Sequence, residues 1–213
     1  MLCRHHEHDR PLPPNPDHSR GPRRLLPFGI AAAIVLAAAL VLWGFGRPLI
    51  CTCGTVKLWH GTVLSSENSQ HLADWYSFSH ITHGFLFYAL IWLAMLVRGR
   101  EQTPLSFGWR LVVATLIEAV WEVVENSDAV IERYRAVTIS LDYYGDSVIN
   151  SVADMGAMML GFWLAYRLPV RLSLALAVIS EVMLAIVIRD GLALNIVMLV
   201  WPVDAIRDWQ GAL

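Results

Sequence analysis

The sequence predicts an all-α protein: a polytopic bundle of about five transmembrane helices followed by a short C-terminal apolar segment. Three observations predict it. The 213 residues are 56% hydrophobic and only 16% charged, and mean hydropathy is positive, which is too apolar for an ordinary soluble domain. Five apolar stretches, at 28–45, 78–97, 107–124, 144–166 and 172–188, come near the ~20 residues a helix needs to cross a bilayer core. Arginine and lysine collect on alternate connections between them, as in a multi-pass membrane protein. The formal net charge is −2, and no basic patch interleaves with aromatics beyond the N-terminal arginines, so no nucleic-acid partner is expected.

Residues 1–25 are polar, rich in His, Pro and Arg, and lack apolar periodicity. They read as a disordered cytoplasmic tail. His5, His6, His8 and His18 within it read as part of a floppy leader rather than a metal site, and Cys3 as a free thiol on the reducing side. Segment 28–45 is longer than the apolar core of a signal peptide, and no small-x-small cleavage site follows, so it reads as an uncleaved first span. Residues 26–213 then form one transmembrane domain.

Arg20, Arg23 and Arg24 precede the first span. Arg98, Arg100 and Arg110 surround the second connection, and Arg167 and Arg171 lie in the fourth. By the positive-inside rule these sides are cytoplasmic and so is the N-terminus, in a bacterial inner membrane. The 46–77 loop, with only Arg47 and Lys57, is external. Residues 126–143 also read as external, because Arg133 and Arg135 are offset by Asp128, Glu132 and Asp142. Segment 192–201 is too short to cross and ends at Pro202; it reads as re-entrant, interfacial or half of a sixth span. Arg189 and Asp190 read as a local ion pair.

This topology brings polar groups to one depth on one side. His80 and His83 lie one to two turns inside the external end of the second span and share a face, with Ser79 four residues before His83. Glu118, Glu122 and Glu125 form an i, i+4, i+7 stripe on the third. Asp142, Asp146, Asn150 and Asp154 follow at spacing four on the fourth. Gly156 and Gly161, with Ala153 and Ala157, offer small residues for close helix contact. An ionised side chain at mid-bilayer costs at least ~2.5–3.5 kcal/mol, so these acids must face the bundle interior, partners or water.

Such a cluster has two readings: a polar network that glues helices together, or a site. As a site, His80, His83 and Glu122 are the proton-transfer candidates. Asp74, Ser79, Glu118, Glu125, Asp146 and Asn150 would orient them or a ligand, and Arg135 would recognise an anionic head group. His and carboxylate also suit Zn, Mn or Fe, but no recognised ligand spacing is present, and no metal is expected. No cofactor is indicated. Cys51 and Cys53 read as a plain pair of small buried residues, with a disulfide or a zinc site with His60 and His71 as alternatives. Residues 66–71 read as a substrate entrance or a solvated loop, and Trp121, Tyr143 and Tyr144 as interface anchors.

Several long runs carry a resemblance. Cys-Thr-Cys-Gly at 51–54, Lys-Leu-Trp-His-Gly at 57–61 and Ser-Ser-Glu-Asn-Ser-Gln-His at 65–71 come first. Ser-His-Ile-Thr-His-Gly-Phe-Leu-Phe-Tyr at 79–88, Trp-Glu-Val-Val-Glu-Asn-Ser at 121–127 and Ile-Ser-Leu-Asp-Tyr-Tyr-Gly-Asp-Ser at 139–147 follow in order. Over about residues 28–210 the chain resembles an uncharacterised family of small polytopic inner-membrane proteins from alphaproteobacteria. That resemblance implies location and architecture only. A looser pattern, Asp74 and His80, Glu118 and Glu122, then Asp146 and Asn150, is similar to VanZ-like membrane proteins, with Arg135 in the place of an arginine usual between Glu and Asp.

The resulting expectation is an outward-facing pocket that recognises or modifies a lipid-linked or small polar envelope molecule, with the lipid bilayer as the other partner. The alternative is a non-enzymatic transport or scaffold protein whose buried acids and histidines form a proton relay or a structural network.

Overall fold

The computed structural model describes residues 21–97, 105–138 and 141–212, and these form helices and loops with no strand. Helices α1 (Gly21–Gly44), α2 (Ser77–Val97), α3 (Phe107–Glu125), α5 (Val148–Arg167) and α6 (Val170–Val187) match the five apolar segments. Between and after them lie α4 (Asp128–Val137), α7 (Leu192–Val200) and α8 (Asp204–Gly211). The chain is therefore the all-α bundle its composition predicts.

Four helices, α1, α2, α5 and α6, are long and apolar enough to cross a membrane. Arg110, Glu118, Glu122 and Glu125 set α3 apart from these, yet its 19 residues reach ~28 Å, close to a bilayer core. Its burial resolves the conflict. Glu118 and Glu122 are fully buried, whereas Leu116, Ile117, Val120 and Val124 of the same helix are exposed. The acidic stripe faces inward and the apolar stripe outward, the arrangement hydrocarbon demands. Leu184 is the one buried residue of α6, which lies at the bundle's edge.

Helices α2 and α5 form the closest pair, and α1 packs on α3. Two glycines permit the α2–α5 approach. A Cβ on Gly84 would stand 2.2 Å from the Met158 carbonyl oxygen, and one on Gly161 would stand 2.0 Å from that of Ile81. Gly156, the other glycine read as a packing residue, has nothing near its Cβ position. Beyond the contact, Leu111, Ala114, Met158 and Phe162 form an apolar core, and Ala38, Ala119 and Met155 form a second cluster.

Several boundaries depart from the sequence reading. Helix α1 begins at Gly21, so residues 21–25 continue the first span; residues 1–20, with the tail histidines and Cys3, lie outside the described residues, as do Arg98, Arg100 and Ser140. The fourth span starts at Val148, because Ser147 caps it by accepting from the Asn150 N–H at 3.3 Å. Asp142 and Asp146 therefore precede the helix and do not extend its polar face. Residues 128–137 are a helix with Asp128 in the first turn and Arg135 in the last, signs that complement the helix dipole. Ile131, Tyr134 and Val137 give α4 its buried face.

The 46–76 loop is fastened to the N-terminus of α5. The Pro48 and Leu49 carbonyls accept from the Val148 and Ile149 N–H groups at 2.8 and 3.2 Å, and the Ser69 carbonyl accepts from Ser147 at 3.0 Å. These are helix-start donors with no partner inside their own helix. Cys51 and Cys53 are joined by a disulfide, with Cys51 buried and Cys53 exposed, rather than forming an unbonded pair. Arg189 and Asp190 do not pair as expected. Arg189 donates to the Trp209 carbonyl at 2.8 Å, while Asp190 accepts from the Tyr76 hydroxyl at 2.7 Å.

Candidate functional site

The N-terminus of α2, the C-terminus of α3 and the N-terminus of α5 meet at one end of the bundle. Antiparallel neighbours bring such ends together, and the polar groups come with them. Asp74 organises the turn into α2: its two oxygens accept from the Ser69 N–H at 3.0 Å and the Tyr76 N–H at 2.8 Å. One turn later, His80 and His83 face α3. Nδ1 of His80 lies 2.6 Å from Glu118 Oε1, and Nδ1 of His83 lies 3.0 Å from Glu118 Oε2. One buried carboxylate thus holds two imidazoles. His83 also stacks on Phe87 and meets the edge of Trp121.

His80 faces two more carboxylates, Asp154 at its other ring nitrogen and Glu122 on the same side as Glu118. Nε2 is 3.8 Å from Asp154 Oδ2, and Nδ1 is 3.5 Å from Glu122 Oε1. Asp154 Oδ1 accepts from Ser77 at 2.9 Å. Neither oxygen of Glu122 has a hydrogen-bond partner, although the residue is fully buried. Buried polar groups normally find partners, so this carboxylate needs a reason.

Asp146 sits beside α3 rather than on α5. Its carboxylate accepts from Asn126 Nδ2 at 2.8 Å and from the Tyr143 hydroxyl at 3.0 Å, while its own N–H donates to Asn126 Oδ1 at 2.6 Å. Burial pushes the Asp146 carboxyl up to about 6, against the pull of the Asn126 and Tyr143 donors. Gly145, at φ +92°, makes the turn that aims Asp146; a side chain there would meet Arg47 and Ile131. Asn150 donates to the His71 carbonyl at 2.8 Å and so holds the loop. Glu125 and Tyr134 of α4 both line the adjoining cavity.

These elements enclose a cavity with about 60 Å³ open to the centre of a water molecule, room for a few waters or one small polar group. Ser79, His80, His83, Glu125, Asp146 and Asp154 line its polar side. Tyr76, Trp121, Tyr134 and Tyr143 form an aromatic belt, and Leu192, Ile196 and Leu199 of α7 form an apolar wall. Asn68 and Ser69 of the long loop reach its rim. Among the described residues, none of its lining side chains is Lys or Arg.

Of the candidates named from sequence, Ser79, His80, His83, Glu125 and Asp146 therefore line the cavity, and Glu118 and Glu122 stand behind His80. Asp74 and Asn150 are spent on backbone. Arg135 lies apart: it donates to the Leu141 carbonyl at 3.0 Å and covers the exposed Tyr144 ring at 4.5 Å. Of the three aromatics read as interface anchors, Trp121 and Tyr143 line the cavity instead. Sequence reading passed over Asn126, Tyr76, Tyr134 and Asn195 as site residues. Asn126 had a signal, since it extends the Glu118–Glu122 row by four. Asn195 sits within an apolar segment where one amide stands out.

The chain from residue 42 to 212 matches the family model described as "Protein of unknown function (DUF2585)". The chain belongs to this family. Its relatives are alphaproteobacterial proteins named only as UPF0314 proteins. That of Paracoccus denitrificans is 59% identical over 191 residues, covering 90% of this chain and 95% of the relative. That of Novosphingobium aromaticivorans is 52% identical over 88% of this chain and 91% of its own length. That of Sinorhizobium fredii is 53% identical over 87% and 88%. No solved structure matches the chain. Membership of DUF2585 agrees with the resemblance read from the motifs and brings no activity with it. The relatives do not bear on the VanZ-like similarity, which rests on short motifs alone.

Proposed function

We propose that this is an inner-membrane protein whose cavity, open toward the periplasmic side, binds the polar end of a membrane amphiphile of the envelope and performs proton transfer on it. The carrying observation is the lining. His80 and His83, joined through the Glu118 carboxylate, open onto a cavity whose opposite wall is the apolar α7. Concave sites that are apolar on one side with a few convergent polar groups suit a ligand that is itself half apolar. An imidazole held by a carboxylate has a fixed tautomer and orientation, as proton transfer requires. With no Lys or Arg among the described lining residues, the polar end that these side chains receive directly is a hydroxyl or amino group rather than a bare phosphate.

A purely structural network accounts for Asp74, Asn126, Asp146 and Asn150, whose side chains hold backbone or each other. It leaves Glu122 unexplained, with a buried carboxyl that makes no hydrogen bond among the described residues.

The test is native mass spectrometry of gently extracted protein. Wild type is expected to carry an amphiphile that Ile196→Trp, which fills the α7 wall, no longer retains at unchanged melting temperature. Wild type that arrives empty, or an amphiphile held equally by Ile196→Trp, contradicts the reading.

A further inference from the structure

We infer that the group formed by His80, Asp154 and Glu122 is a divalent-cation site. The inference deepens the cavity reading, since it lies at the same floor, but it needs no amphiphile. One donor atom from each residue lies within 4.8 Å of the other two, and all three residues are buried.

Three observations point to a cation rather than to an ordinary hydrogen-bonded cluster. First, His80 carries the support that metal-bound histidines have. Its Nδ1 is 2.6 Å from Glu118, so an N–H there donates to a carboxylate and leaves the lone pair on Nε2. A ligating imidazole almost always gives its other N–H to such a partner, which fixes ring and tautomer and raises basicity. Second, Nε2 faces Asp154 Oδ2 at 3.8 Å, beyond hydrogen-bond reach. Two tetrahedral ligands that each stand ~2.0–2.2 Å from a shared ion are about 3.3–3.6 Å apart, so a closing of a few tenths of an ångström would seat one. Third, Glu122 is fully buried with no hydrogen-bond partner for either oxygen among the described residues; its Oε1 stands 3.5 Å from His80 Nδ1, the ring edge beside the Nε2 that faces Asp154. Two buried carboxyl groups, Asp154 in the lining and Glu122 behind it, with no lysine or arginine paired to either among the described residues, carry a desolvation cost of several kcal/mol each when ionised. A divalent ion offsets that cost and gives the floor the positive charge its lining lacks.

The donor set, one imidazole and two carboxylates, suits Zn²⁺, Mn²⁺ or Fe²⁺. His80 and Asp154 also line the cavity, so an ion held there has an open side toward any ligand that enters. The signal was weak in sequence because the three donors come from three helices, and the local spacing of a metal motif never appears. Only the α2–α5 contact, closed by Gly84 and Gly161, brings Asp154 to His80.

The experiment uses the full chain in lipid nanodiscs, stripped with EDTA and dialysed against micromolar Zn²⁺ or Mn²⁺, with metal counted by mass spectrometry. The background replaces His5, His6, His8 and His18 by Gln and Cys51 and Cys53 by Ser, so that neither the tail nor the loop contributes. One equivalent per chain is expected. Asp154→Asn and Glu122→Gln should each weaken binding at least tenfold while the metal-free melting temperature holds, and Glu118→Gln should weaken it about 10–100-fold through His80. If one substitution prevents folding, the other two decide. No stoichiometric metal in the background protein, or an equivalent that survives every folded variant, overturns the inference. No amphiphile beyond the nanodisc phospholipid is added and metal alone is counted, so failure of amphiphile capture and failure of metal binding are separate results.

Discussion

Asp190 shows how one side chain ties the loop to the bundle. Outside the spanning helices, it accepts from the Tyr76 hydroxyl, the Gly191 N–H and the Gln210 amide at 2.7, 2.9 and 3.2 Å. Burial nevertheless pushes its carboxyl up to about 6. The folded state then binds this proton more tightly than the unfolded chain, whose carboxyl titrates near 4. The group's contribution to stability is full below about pH 4, falls as pH rises through about 4 to 6, and stays at its lower value above that, a span of ~3 kcal/mol. Asp190→Asn is expected to flatten that part of the melting-temperature profile; an unchanged slope would show that another group sets it. The exposed Glu67 behaves in the opposite way, since the Lys57 ammonium and then His71 hold its carboxyl down at about 2. At this scale much of the site was legible in the residues. An acid or histidine inside an apolar run must face inward, which identified Glu118, Glu122, His80 and His83. What was not legible was the division of labour: Asp74 and Asn150 look like site residues in sequence but are consumed by backbone donors and acceptors, and Arg135 is taken by Leu141 and Tyr144.

The bundle stands or falls on the α2–α5 contact. Gly84 and Gly161 let the two backbones touch, and any side chain there meets backbone rather than a flexible neighbour. Gly161→Ala should destabilise the fold by about 1–3 kcal/mol, as overpacking does, and should pull Asp154 from His80; Gly156→Ala, with open space around it, should be neutral. Equal melting temperatures for the two variants would refute this packing. The five apolar helices were legible because length and hydropathy are local properties. Helix α4 was missed because its polar composition hid the Ile131, Tyr134 and Val137 face. The start of α5 was placed too early because Tyr143 and Tyr144 continue the apolar run, while the cap that ends it is a single serine.

For the molecule as a whole, orientation and the pocket are linked. In the proposed orientation, arginine placement puts the end that carries the cavity outside the inner membrane. A Ser66→Cys chain lacking its native cysteines should react with an impermeant maleimide in spheroplasts, whereas Ser106→Cys should react only after permeabilisation; the reverse pattern would turn the protein over. In the proposed reading, stability and function rest on different polar residues at this end. Asn126 satisfies both the carboxylate and the N–H of buried Asp146, so Asn126→Ala strands buried groups and should cost about 3 kcal/mol. Glu122 makes no hydrogen bond, and His80 beside it keeps the Glu118 carboxylate, so an apolar side chain of similar volume at 122 removes an uncompensated desolvation cost without stranding a partner. The most direct measurement is therefore the melting temperature of metal-free Glu122→Met protein in nanodiscs beside wild type and Asn126→Ala. The account predicts that Glu122→Met melts at or above wild type while Asn126→Ala melts well below it. Glu122→Met that falls as far as Asn126→Ala would make Glu122 part of the structural network and contradict the claim.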